Sequence, residues 1–563
     1  MNVPGQKMRG RIATIVCVLF IGLAARATCA QQTVAIASAH PLASAAGHAA
    51  LERGGNAFDA AVAVAAALAV VEPYSSGFGG GGFFLLHRAA DRNQVMVDAR
   101  ETAPAAVTSA HYFDREGKPI RGASTEGGTA VAIPGLAAGL AHIAERYGKL
   151  PLALTLAPAM RLAREGFAVD VRYARIAQLR ESFLQSGATR DVFLDRGQPP
   201  SAGFILKQPA LAGTIERIVR YGTAGFYEGP VAQAMIEAVN QAGGAWTAAD
   251  LSGYRVIERE PVQFNYRGAR ITAAALPSAG GIALAQCLAM LDAFSLGQVG
   301  EPDTDHLVTE SLRRAFEDRA RYLADPDFVQ VPVARLISRD YARQRAAGID
   351  PARATRSDTL GARVSARAES HNTTHLSIVD SDGNRVAATL TINLLFGSGI
   401  MPAGTGILLN NEMDDFTLRP DVPNAFRLRG GLANRIEPRK RPLSSMTPTF
   451  VEDEKGVLIL GAPGGSRIIS QVLLAILHYL QSSETDVARL VSMPRYHHQY
   501  WPDRLEIEPQ GWTPEWRAAM SAKGHVIQPA SRRWGNMQAV FKAKRGGVAQ
   551  AASDPRGDDI GWY

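Results

Sequence analysis

The sequence predicts a mixed α/β (α+β) fold, and three observations carry that reading. Long apolar or amphipathic helical runs, such as Ala57 to Val71 and Ile468 to Leu480, are interleaved with short strand-like runs. From Thr374 the chain alternates, with Leu376 and Ile378 on one face and Ser377 and Val379 on the other. It then meets Ser381-Asp382-Gly383-Asn384, a hairpin turn signal, and returns as Arg385 to Asn393. Finally, the 54 glycines among 563 residues cluster where runs change character, which marks tight turns and close backbone approaches.

Taken in order, the first thirty residues read as a signal peptide. Lys7, Arg9 and Arg11 precede an apolar run, Ile12 to Ala25, too short to span a bilayer comfortably. Thr28-Cys29-Ala30 supplies a small-residue cleavage site, so the mature chain is expected to start at Gln31 and to keep no stable membrane anchor. The alternatives are an uncleaved anchor helix and a lipid-modified Cys29. Arg26 stands where a lipoprotein signal needs an aliphatic residue. Removing residues 1–30 lowers the formal charge of +7 by four, to +3, which gives no support to nucleic acid binding. Cys17 and Cys29 leave with the signal, and Cys287 remains as a buried apolar residue with no disulfide partner in the chain.

Gln32 to Ser38 reads as a strand. Pro41 to Val71 is helical, broken at Gly54-Gly55 and restarted with Asn56 as a cap. Gly79 to Gly82 precedes the strand Phe83 to His87. It lacks the Gly-Lys-Ser/Thr ending of a phosphate loop and reads as a packing device. Gln94 to Arg100 is a further strand. Pro134 to Val169, Ala210 to Tyr221 and Pro230 to Ala242 are helical. Pro277 to Gly281 is a turn opening the helix Ile282 to Phe294. Thr304-Asp305 caps a charged helix to Leu323, whose four arginines read as a solvated face. Ala346 to Asn372 reads as a surface loop leading into Thr373. Gly406 to Asn411 and Val457 to Leu460 read as strands, and Gly464-Gly465 opens the last long helix.

The stretch His371 to Asp380 is the centre of interest. A turn about Asp382–Gly383 sets Thr391 opposite Thr374 and Ile392 opposite Thr373, so Thr391 and Asn393 return beside Thr373 to within one register step. A strand-start threonine flanked by a second hydroxyl and an amide suggests a catalytic centre. An ordinary surface hairpin is the competing reading.

Further motifs then give the chain a family resemblance. Thr373-Thr374-His375, Thr391-Ile392-Asn393, Asn410 to Phe416, Pro442-Leu443-Ser444-Ser445-Met446 and Pro463 to Arg467 resemble, in order, the gamma-glutamyltransferases. The similarity also takes in Asp98 to Pro104, Asp325 to Phe328, Pro494 to Gln499 and Ser553 to Arg556. It implies an N-terminal-nucleophile hydrolase fold, a four-layer αββα sandwich of two stacked sheets between helices. It also implies a precursor that cuts itself between Asn372 and Thr373 into a large subunit, residues 31–372, and a small subunit, residues 373–563, which stay associated. The implied substrates are glutathione and other γ-glutamyl compounds, with water, amino acids or dipeptides as acceptors, in a secreted, periplasmic enzyme without metal or cofactor.

The chemistry follows. A threonine hydroxyl is a weak nucleophile that needs a base. Cleavage before Thr373 frees an α-amine with a reference pKa of about 7.7–8.0, neutral in part near neutral pH. Before cleavage the same hydroxyl attacks the Asn372 carbonyl, and Thr391 orients it. A γ-glutamyl donor presents an α-carboxylate and an α-ammonium. The resemblance assigns Arg100, Ser444 and Ser445 to the first and Asn393, Glu412 and Asp415 to the second. The competing readings are an ion pair of Arg100 with Asp98 or Glu101, and a solvated Glu412. Gly464 and Gly465 offer backbone N–H groups to the developing oxyanion, unless they form a plain turn. His497-His498 reads as structural, because adjacent histidines point apart, and His375 as local support. At Phe426, many bacterial members carry tyrosine in the loop over the site; phenylalanine there predicts a looser lid admitting more water. A glutaryl-type acylase and an uncut γ-glutamyl-peptide binding homologue are the alternative functions.

Overall fold

The computed structural model describes Met1 and residues 33–360, 373–428, 430–483 and 485–557. The rest of the signal segment, the second half of the expected loop, and Asn372 lie outside the described residues. Twelve strands form two six-stranded antiparallel sheets. The first comprises β1 (Ala35–Ser38), β2 (Gly81–Arg88), β3 (Asn93–Ala99) and β4 (Ile257–Arg259). The second takes β5 (Val262–Tyr266) and β6 (Ala269–Ala273). The first sheet gains β7 (Thr374–Val379) and β8 (Arg385–Thr391). The second is completed by β9 (Thr449–Glu452), β10 (Gly456–Gly461), β11 (Gln538–Ala543) and β12 (Ala549–Ser553). The orders are β1-β7-β8-β2-β3-β4 and β12-β11-β10-β9-β6-β5.

The sheets stack face to face, β7 against β10 and β11 and β8 against β10, around a thin core that includes Leu85, Ala387, Phe450, Ile459 and Val540. Helices cover both outer faces. On the first sheet lie α1 (Pro41–Glu52), α2 (Ala57–Val71), α3 (Leu136–Arg146) and α4 (Leu152–Glu165). On the second lie α5 (Gly280–Leu291), α6 (Pro302–Tyr322) and α7 (Arg467–Gln481). This is the expected αββα sandwich.

Local chemistry explains the element starts. Asn56 caps α2 by accepting from Phe58 N at 2.9 Å and Asp59 N at 3.0 Å, while Asp59 accepts from Asn56 N at 2.9 Å. Every residue of α2 is buried, as its apolar run demands. Pro134 to Val169 forms two helices, because Gly148 and Pro151 separate α3 from α4. The helix α6 begins at Pro302, not at Thr304, since proline suits the first helical position. Asp305 instead faces inward and accepts from Gly300 N at 3.1 Å, Tyr496 Oη at 3.0 Å and Trp516 Nε1 at 2.9 Å.

Two expectations are corrected here. The arginines of α6 do not form a solvated face: Arg313, Arg314 and Arg319 are buried, and only Arg321 is exposed. Arg313 and Arg314 pair with Glu310 one turn away. The segment Gly406 to Asn411 is extended without joining a ladder. It makes one bridge, Leu409 to Gly79, and the N–H groups of Ile407, Leu409, Asn410 and Asn411 go to Thr405 Oγ1 at 3.1 Å, Ile400 O at 2.9 Å, Gly79 O at 3.0 Å and Ile392 O at 3.2 Å. Among the described residues, no helix is long and apolar enough to cross a membrane.

Candidate active site

The hairpin β7–β8 delivers the central residues. Its turn is a three-residue loop with Gly383 left-handed at φ 92°, not a two-residue turn at Asp382–Gly383. The extra residue shifts the register by one from that expected, so Leu390 faces Thr374, and the next pair along is Thr391 and Thr373. Thr373 Oγ1 donates to Thr391 Oγ1 at 3.5 Å. Thr374 points away and donates to the buried carboxylate of Glu72 at 2.7 Å, which pins the strand start. At the far end Asp380 accepts from Ala57 N at 2.9 Å, tying the hairpin to the N-terminus of α2.

The glycine run supports β8 from the other side, as a packing device. A Cβ on Gly80 would lie 2.1 Å from Thr391 O, and one on Gly82 2.3 Å from Thr389 O. Only glycine lets β2 and its lead-in press this closely on the strand that carries Thr391.

Thr391 leads into Asn393, which is left-handed at φ 71°. Asn393 N donates to Thr391 Oγ1 at 2.8 Å, and Asn393 Nδ2 to Asn411 O at 2.8 Å. Asn411 in turn accepts from Leu394 N at 3.0 Å. The following turn, Glu412–Asp415, carries the two acids inward.

Arg100 stands at the end of β3, fully buried. Its guanidinium pairs with Glu412, with Asp415 Oδ2 at 2.5 Å and with Glu101 Oε2 at 3.4 Å. Asp98 does not pair with that guanidinium. It accepts from Arg100 N at 2.9 Å and holds Arg259 at 2.8 Å. Burial works against the Arg100 charge, but Glu412, Glu101 and Asp415 outweigh it and hold its pKa above the ordinary value. Burial pushes the carboxyls up despite Arg100: Glu412 and Asp415 rise, and Glu101 reaches about 7. Glu412 is therefore not a solvated acid, and its Oε2 is buried with no hydrogen-bond partner among the described residues.

Ser444 and Ser445 approach from the segment before β9, where Ser444 makes an isolated bridge to Ser278. Ser444 N donates to Pro277 O at 2.8 Å, and Ser445 Oγ accepts from Arg319 Nη2 at 3.3 Å. Gly464 and Gly465 precede α7 at φ 129° and 56°. Their carbonyls accept from Arg467 N at 3.1 Å and Ile468 N at 3.2 Å, and their N–H groups meet no acceptor among the described residues. Phe426 covers them: a Cβ on Gly465 would lie 2.4 Å from its ring. Gln499 Nε2 donates to Phe426 O at 3.1 Å and holds that loop down.

Thr373, Thr391, Asn393, Arg100, Glu412, Asp415, Ser444, Ser445 and Gly465 all line one cavity of about 20 Å³, with Phe426 and Leu428 as its cover. Gly464 lies beside it. The space suffices for about one water. Arg319 also lines it and was read from sequence as a surface residue. Its signal lay in the helical spacing, which puts Arg319 one turn from the buried Ala315 and Phe316. The histidines lie outside the lining of that cavity: His375 contacts Thr389 Oγ1 at 2.8 Å and Ser377 Oγ at 3.2 Å, His497 contacts Ser470 Oγ at 2.5 Å, and His498 contacts Asp503 Oδ1 at 3.3 Å.

The arrangement suits acyl transfer from a zwitterionic head group. The sequence model described as Gamma-glutamyltranspeptidase matches residues 43–562. A glutathione hydrolase proenzyme of Pseudomonas sp. (strain A14) is 40% identical over 527 residues, covering 92% of this chain and 91% of that one. The crystal structure of a cephalosporin acylase from Bacillus halodurans superposes with a TM-score of 0.80 at 26% identity, over 93% of this chain and 95% of its own. Helicobacter pylori gamma-glutamyltranspeptidase superposes with a TM-score of 0.56 at 36% identity, over 57% of this chain and 93% of its own.

Proposed function

The chain belongs to the gamma-glutamyltranspeptidase family and is an enzyme of that kind, a self-processing γ-glutamyltransferase with glutathione hydrolase activity; from that premise we propose how its own residues do the work. Cleavage between Asn372 and Thr373 yields subunits 31–372 and 373–563. In the continuous chain the Thr373 nitrogen is a peptide nitrogen, so cleavage is what supplies the base. Thr373 Oγ1 then attacks the γ-carbonyl of a glutathione-like donor. The oxyanion takes the N–H groups of Gly464 and Gly465, and the leaving amine takes the proton held at the Thr373 amine. Water, an amino acid or a dipeptide releases the γ-glutamyl group from the ester. The basic start and apolar run of residues 1–30 support export, and the periplasm is the compartment proposed for the enzyme.

One observation carries the donor assignment. Arg100 is already paired with Glu412 and Asp415 inside the cavity wall. A ligand that takes Arg100 with a carboxylate alone uncovers two buried acids, which is costly. A ligand with an ammonium beside its carboxylate exchanges partners and leaves no charge unpaired. This favours a γ-glutamyl over a glutaryl donor. The test compares γ-glutamyl and glutaryl anilides with the purified, processed protein. Turnover of the γ-glutamyl compound, with the glutaryl one at least about tenfold poorer, supports the reading. Preference for the glutaryl compound puts the acylase reading in its place.

A further inference from the structure

The cavity holds two buried arginines in very different company. Arg100 is ringed by Glu101, Glu412 and Asp415. Arg319, on α6, is 5% exposed and makes no ion pair within contact distance among the described residues. Its Nη2 donates to Ser445 Oγ at 3.3 Å, and its Nε is buried with no hydrogen-bond partner among the described residues. Burial and the charge of Arg100 push its pKa down to about 10, against the pull of Asp415. A buried cation this poorly compensated is costly in an empty pocket. It becomes favourable when an anion arrives.

We propose that Arg319 is a positioning and specificity-determining residue for the donor's α-carboxylate, acting through Ser445. The inference rests on the proposed γ-glutamyl reading of the site. Ser445 Oγ accepts from Arg319, so the Ser445 hydroxyl proton is left to donate into the cavity, where the carboxylate binds between it and Arg100. The Arg319 charge keeps that subsite positive while Glu412 and Asp415, which line the cavity, face the ammonium. A donor whose α-carboxylate is replaced by a carboxamide gains nothing from this device.

The experiment measures kcat and KM for γ-glutamyl anilide and its α-carboxamide counterpart. It uses wild type, Arg319→Gln, Arg319→Lys, Ser445→Ala and the Arg319→Gln/Ser445→Ala double variant. Intact mass confirms processing of each. The expected result is a KM for the carboxylate donor raised about tenfold to a hundredfold in Arg319→Gln, with kcat within about threefold. Arg319→Lys recovers part of the loss, the carboxamide donor is unaffected, and the double variant loses less than the two singles combined. Equal losses on both donors, additive losses, or an unchanged KM in a processed Arg319→Gln protein overturns the inference. Should Arg319→Gln fail to fold or process, Arg319→Lys and Ser445→Ala decide: unaltered discrimination between the two donors in both overturns it. Wild type without turnover of γ-glutamyl anilide overturns the parent reading and this inference together, whereas an active wild type with an indifferent Arg319 overturns the inference alone.

Discussion

Thr373 and Thr391 face each other across neighbouring antiparallel strands, with their hydroxyl oxygens 3.5 Å apart. Thr391 Oγ1 also accepts from Asn393 N at 2.8 Å, so one hydroxyl contacts Thr373, the proposed nucleophile, and holds the start of the turn that follows β8. Thr391→Ala removes both functions. It is expected to lower kcat about a hundredfold and to slow self-cleavage, while Thr391→Ser retains most activity. Steady-state rates and the time course of cleavage check this.

The Arg100 cluster gives a second prediction. Glu412→Gln and Asp415→Asn keep shape and remove charge, which avoids the larger penalty of truncating a buried pair. Each is expected to raise KM for a γ-glutamyl donor about tenfold or more, with a smaller change for a glutaryl analogue that lacks the ammonium. Parallel kinetics on the two donors measure the difference.

The lid rests on glycine. Gly465 is left-handed at φ 56°, and a Cβ there would lie 2.4 Å from the Phe426 ring. Gly465→Ala therefore carries about 1–2 kcal/mol of backbone strain and also displaces the cover. A lower Tm together with loss of anilide turnover is the expected outcome.

Phe426 itself sets a second test of the same region. Its ring covers the cavity and offers no hydroxyl to the facing polar wall. Phe426→Tyr is expected to raise the ratio of transfer to hydrolysis with a dipeptide acceptor. An unchanged ratio counts against a role for this ring in admitting water.

His375 gives a pH prediction. Burial lowers its pKa from 6.5 to about 3, so the folded protein holds it neutral where the unfolded chain would protonate it. The sign follows: this stability is present above pH 6.5 and is lost as pH falls toward about 3. His375→Gln is expected to flatten the acid side of the stability curve in denaturant titrations, at some cost in packing against Gly461, whose Cβ position lies 2.2 Å from the ring.

Much of this was legible in the sequence because local rules suffice for it. The Asn56 cap, the all-buried run of α2 and the alternation of β7 each follow from a few neighbouring residues. The motifs that carry the resemblance named nine residues that line one cavity. What was not legible depends on tertiary context. The hairpin register turned on whether Gly383 closes a two- or three-residue loop, which Asp-Gly permits either way. The arginines of α6 look like a solvated face until Ser357 and Asp503 are brought to Arg313, and Ser445 to Arg319, from elsewhere in the chain. Gly406 to Asn411 has strand composition, but its N–H groups are taken one by one by Thr405, Ile400, Gly79 and Ile392 in place of a ladder.

The central claim is that cleavage before Thr373 creates the catalytic amine. Intact mass of the exported protein, beside a Thr373→Ala control, tests it most directly. The account predicts two fragments in the wild type, beginning at Gln31 and Thr373, and a single chain beginning at Gln31 in the control. A single uncut chain in both, or turnover of γ-glutamyl anilide by the uncut control, would contradict it.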